Sequence, residues 1–171
     1  MNAVNFIDGL DGLAAGVVGI GTLAFFVYSY VLAQQTSPTD YFSIAGMLSA
    51  VVLGAIAGFL PHNFSPAKIF MGDSGAMLLG LMMATSAIAV TGSIDPATVT
   101  RNDLLPALIP LVLPVVILLV PLLDLLLAVI RRMRRGQSPF AADREHLHHQ
   151  LQDLGHSHRG AVLVFYHWTT V

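Results

Sequence analysis

The sequence contains no cysteine, which removes disulfides and thiolate chemistry from anything it could do. Charge is almost as scarce: 11% of the 171 residues are Asp, Glu, Lys or Arg, less than half the share of about 25% found in soluble domains. No secretory leader is visible either, because the chain opens on Asn2, Asn5, Asp8 and Asp11 rather than on a basic stretch followed by a short apolar core. What fills the chain is apolar, at 55% hydrophobic residues. That composition excludes an ordinary soluble domain and points to an all-α, polytopic membrane protein.

The apolar residues gather into four runs, at about 13–33, 41–60, 75–94 and 104–130. Each approaches or exceeds the roughly 20 residues needed to cross the hydrocarbon layer. A fifth run starts at Gly160 and reaches only Val171, so the whole chain is expected to be a single membrane domain and a fragment of a larger protein. Gly16, Gly19 and Gly21 in the first run suit close helix contact, and Gly46, Gly54 and Gly58 give the second a small-residue stripe. The fourth run carries Pro106, Pro110, Pro114 and Pro121, which predicts a bent or broken element. Its Asp124 pairs with Arg131 or Arg132 at the interface, pairs with a neighbouring helix, or serves the polar site directly.

Four spans sort the loops into two sets. Residues 1–12, 61–74 and 131–159 hold Lys68 and six arginines, whereas 34–40 and 95–103 hold Arg101 alone. Seven basic residues against one places the first set in the cytoplasm. The stretch 131–159 also holds five of the seven histidines.

All three polar motifs fall in that first set. In the first, Asn2-Ala-Val-Asn-Phe-Ile-Asp-Gly-Leu-Asp-Gly, the residues Asn2, Asn5, Asp8 and Asp11 recur every third position, a spacing that one helical face would gather. Such hard oxygens beside Gly9 and Gly12 suit magnesium or a nucleotide, and equally a solvated helix cap. The second, Phe70-Met-Gly-Asp-Ser-Gly75, resembles the nucleophile segment of chymotrypsin-like proteases. That reading fails, because those enzymes are soluble barrels and this serine abuts a membrane span. Asp73 fits a helix N-terminus, as a cap or as a magnesium ligand. The third, Asp143-Arg-Glu-His-Leu-His-His149, sets His146 and His149 at i, i+3 with Arg144 close by. No thiolate accompanies these imidazoles and Arg144 disfavours a bound cation, so a phosphate grip fits better than zinc; a solvated or pH-sensing tail is the alternative.

Taken together and in this order, NAVNFIDGLDGLAAG, FMGDSG and SPFAADREHLHHQL resemble the polyprenyl-phosphate N-acetylhexosamine-1-phosphate transferases, the MraY-like glycosyltransferase family. The resemblance covers essentially the whole chain but only the second half or so of the family's length. Its last motif is closer to the WecA/TagO pattern than to that of MraY. It implies transfer of N-acetylglucosamine 1-phosphate, or a similar HexNAc phosphate, from a UDP-sugar to undecaprenyl phosphate, with Mg2+ required and UMP released. The resemblance further implies that Asp73 and Asn5 hold the metal and that Asp8, His148 and His149 join Asp73 in catalysis. Asn2, Asp11, Phe70, Arg144 and His146 would bind substrate, with Asp11 and Phe70 at the uracil. The implied partners are UDP-N-acetylglucosamine, undecaprenyl phosphate and membrane lipid, with homodimerisation open and no nucleic acid. The implied place is the plasma membrane, with the active site on its cytoplasmic side and the product feeding cell-wall or surface polysaccharide. The family's adjacent pair of aspartates is missing from the chain, so the fragment alone is expected to be inactive. A transporter or metal-ion carrier using the histidine-rich loop is the competing class, but transporters place their polar groups near the midplane rather than in loops.

Overall fold

A computed structural model describes residues 2–36, 43–92, 104–136, 138 and 155–170. Arg144, His146, His148 and His149 lie outside the described residues, as does the loop 95–103. Within them the regular structure is entirely helical: α1 (Asn2–Ile7), α2 (Leu13–Thr36), α3 (Ile44–Asn63), α4 (Gly72–Gly92), α5 (Leu104–Ile117), α6 (Leu119–Arg134) and α7 (His158–Thr170).

Helix α2 is the centre of the bundle, packed against α3, α4, α5 and α7. Its core positions Val17, Val18 and Phe25 are almost fully buried. The glycines explain how so many neighbours fit. A methyl group on Gly16 would overlap the Tyr166 ring of α7; one on Gly19 would meet Ile56 of α3 at 3.2 Å; one on Gly21 would meet Ile117 of α5 at 2.7 Å and Met83 of α4 at 3.0 Å. Lipid is as apolar as a leucine side chain, so the helices gain by close van der Waals approach rather than by fleeing water. The stripe expected on α3 behaves differently. Gly46 lies near Ser43 and Ser29, but Gly54 and Gly58 face open space among the described residues. Those two glycines are therefore no helix contact here.

Among the described residues three helices, α2, α3 and α4, are long and apolar enough to cross a membrane. The fourth run is two shorter helices of 14 and 16 residues, the bent or broken element its prolines predict. The break falls at Leu118, for a reason legible in the backbone. Proline has no N–H, so Pro121 cannot donate to the carbonyl four residues earlier, that of Ile117. Helix α6 then ends on Arg131, Arg132 and Arg134, cations placed where the helix dipole favours them, and Gly136 closes it with φ +69°. The end of α3 also differs from expectation: the helix runs through Pro61 and His62 to Asn63, shortening the following loop to 64–71.

Candidate functional site

The polar site is assembled at one end of the bundle by the α1–α2 turn, the α3–α4 loop, the start of α4 and the start of α7. Helix α1 stops at Ile7, and Gly12 takes a left-handed φ of +82°, a conformation that suits glycine. This corrects the single-face reading of the first motif. Only Asn2 and Asn5 lie on the helix, while Asp8 and Asp11 lie in the turn after it.

That turn is held from both sides. The Gly12 N–H donates to Asn63 Oδ1 at 3.0 Å, and the Gly12 carbonyl accepts from the Tyr166 hydroxyl as well as from the Gly16 N–H. The Ala67 N–H donates to Asp11 Oδ2 at 3.1 Å, so one oxygen of Asp11 ties the turn to the α3–α4 loop. The same loop is braced internally: Asn63 Nδ2 donates to the Ile69 carbonyl at 3.0 Å, and Lys68 N donates to the His62 carbonyl at 2.8 Å. Arg159 Nε closes the ring by donating to the Ser65 carbonyl at 2.6 Å.

Asp73 sits in the first turn of α4, where unpaired backbone N–H groups favour a carboxylate. Burial pushes the Asp8 carboxyl above its ordinary value, and repulsion from Asp73 and then Asp11 pushes it in the same direction. Mutual repulsion of this kind requires proximity, so two of the three sequence motifs converge. Phe70 is 76% exposed. It borders an apolar cleft of about 240 Å³ between α3 and α4, lined also by Ile56, Phe59, Met71 and Leu78. Asn5 is half-buried on α1, and helix α1 itself packs against α4 and α6.

Two residues that organise the site carried no role in the sequence reading. Asn63 is buried and bonds both the turn and the loop; an amide closing an otherwise apolar span was the available signal. Tyr166 stands 154 positions from the carbonyl it bonds, and no local spacing announces that.

The donor chemistry fits a hard divalent cation. Among the described residues no three His, Asp or Glu side chains stand close enough to form a metal cage. Magnesium does not need one: it is usually bound through one or two carboxylates, with substrate phosphates and water completing its octahedron. The electrostatic strain on Asp8 is what such a cation would relieve.

A sequence model described as glycosyl transferase family 4 matches residues 1–91, more than half of the chain and all of the described turn, loop and α4 start. The chain belongs to glycosyl transferase family 4. This member is 46% identical over all 171 residues to a decaprenyl-phosphate N-acetylglucosaminephosphotransferase of Mycobacterium leprae. It is 42% identical over 167 residues, 96% of the chain, to a probable undecaprenyl-phosphate N-acetylglucosaminyl 1-phosphate transferase of Bacillus subtilis. A phospho-N-acetylmuramoyl-pentapeptide-transferase of Staphylococcus aureus matches at 44% identity over 87 residues, 51% of the chain. The chain spans 43%, 41% and 25% of those relatives respectively.

Proposed function

We propose that this family 4 member forms part of an enzyme that transfers N-acetylglucosamine 1-phosphate, or a similar HexNAc phosphate, from its UDP-sugar to undecaprenyl phosphate. A phosphate oxygen of the lipid attacks the sugar-bearing phosphorus, the bond from that phosphorus to the bridging oxygen breaks, and UMP leaves. The observation that carries this reading is the gathering of Asp8, Asp11 and Asp73 at one end of a bundle of apolar helices. The acetylglucosamine form is favoured over the muramoyl form because the glucosamine relatives align along the whole chain, histidine-rich stretch included.

In this reading Asn5 and Asp73 hold magnesium, which when bound supplies charge neutralisation to the diphosphate and to the departing UMP. Asp8 works beside them in catalysis. Asp11 contributes its second oxygen, the first being committed to Ala67, to the uracil, against which Phe70 stacks. Asn2 is a further polar contact. Arg144 and His146 grip phosphate or sugar, with His148 and His149 at the reacting groups. The enzyme would sit in the plasma membrane with this end in the cytoplasm, serving cell-wall or surface polysaccharide synthesis.

The test is an assay in membranes with UDP-N-acetylglucosamine and undecaprenyl phosphate, using the chain within its whole protein. Lipid-linked sugar should form only with added magnesium, and Asp73→Asn should lower its formation by on the order of 10³ while insertion is kept. Undiminished transfer by Asp73→Asn in a chelator would overturn the assignment.

A further inference from the structure

Helix α7 touches the turn that carries Asp8 and Asp11 and the loop that leads into Asp73, and the two ties have different chemistry. Near its start, Arg159 holds the α3–α4 loop through the Ser65 carbonyl. Seven residues on, about 10 Å along a helix axis, the Tyr166 hydroxyl holds the α1–α2 turn through the Gly12 carbonyl. The Tyr166 ring reaches that carbonyl because Gly16 has no side chain; a methyl group there would occupy the space of the ring itself.

The hydroxyl bond is not needed to satisfy an orphaned acceptor. The Gly12 carbonyl already receives the Gly16 N–H at 3.0 Å as the first turn of α2 closes. A second donor from another helix adds little satisfaction, but it fixes where the carbonyl sits. Gly12 follows Asp11 directly and Asp8 by four positions, and its own N–H is fixed from the opposite side by buried Asn63. The turn therefore has one peptide held by α3, the next held by α7, and the acidic side chains between that point and the end of α1.

We propose that Tyr166 is a positioning residue for the proposed transfer: its hydroxyl, seated over Gly16 and bonded to the Gly12 carbonyl, sets the placement of the Asp8–Asp11 turn relative to the α3–α4 loop, with Arg159 as the matching anchor on that loop. The catalytic part of this statement rests on the function proposed above; the geometric part does not.

This chain brings no cysteine of its own, so a whole protein with any cysteine outside it replaced by serine permits a direct test. Spin labels at Gly9→Cys and Lys68→Cys, both exposed, report the distance between turn and loop by pulsed electron resonance in nanodiscs. Tyr166→Phe keeps the ring in its seat and removes only the donor, and it should widen the distance distribution. It should lower turnover at saturating UDP-sugar roughly fivefold, as loss of about one hydrogen bond's worth of positioning would, with KM little changed. Arg159→Gln should widen the same distribution from the loop side. Unchanged distributions in both variants overturn the proposal, as does a Tyr166→Phe whose turnover loss is matched by an equal loss of folded protein. A parent protein that transfers no sugar while its Tyr166→Phe distribution widens would sink the proposed reaction and leave the clasp standing.

Discussion

Helices α2 and α3 lie side by side and are both built almost entirely of apolar residues, yet they meet different surroundings. The membrane-crossing stretch of α2 is 44% buried against protein, and that of α3 only 22%. Apolar content does not separate them. What separates them is where the small residues sit: Gly16, Gly19 and Gly21 each receive a neighbouring side chain on α2, while Gly54 and Gly58 on α3 receive none among the described residues. In water the more apolar helix would be the more buried. In lipid that link is cut, and burial follows the ability to let another backbone or ring come close.

The sharpest way to break this contrast is Gly16→Leu. The Tyr166 ring fills the space it would need, so overpacking should cost about 3 kcal/mol, read by reversible unfolding in mixed micelles, and should dislodge α7. A neutral Gly16→Leu would mean that α7 does not rest on α2. Next comes Asn63→Ala at the point where α3 finally meets the central turn. It strands the Gly12 N–H and the Ile69 carbonyl, and a loss of about 2 kcal/mol is expected in the same assay.

A smaller effect should appear at Asp8, and its sign is fixed by the direction of the shift. Its native pKa is raised, so the folded state holds the proton more tightly than the unfolded chain. Below about pH 4 both states are protonated and the group contributes nothing. As pH rises from there through the native pKa, stability is lost, and the deficit then stays constant. Asp8→Asn should accordingly be more stable than the wild type at neutral pH without divalent metal, with the gain vanishing in acid; thermal unfolding across that range measures it. Smallest of all is Gly54→Leu on the outer face of α3, which should change stability by less than about 0.5 kcal/mol. A large effect there would mean that another helix covers this face.

Much of the scaffold could be read in advance because long apolar runs and prolines act locally. The runs gave the helices, and the prolines of the fourth run foretold a break, now placed at Leu118 by the missing donor of Pro121. The glycines of α2 are the contact points their spacing suggests, whereas spacing alone cannot tell that the stripe on α3 leaves Gly54 and Gly58 without a neighbour among the described residues. At the site, the charge asymmetry of the loops grouped the first and second motifs, and Asp8, Asp11 and Asp73 do lie at one end. The three-residue repeat misled because Gly9 and Gly12 end the helix before Asp8 can join its face. Tyr166 was invisible as an organiser because its partner lies 154 positions away, and the amide at Asn63 signalled a role without naming its partner 51 positions off.

The interruption at Leu118 bears on how the basic end of the molecule relates to its interior. An unbroken rod hands on any twist or tilt applied at its tip. With the Ile117 carbonyl deprived of its helical partner, the direction of the arginine-bearing α6 is set by its own contacts with α1 and α7 rather than inherited from α5, whose Ile117 keeps its seat beside Gly21.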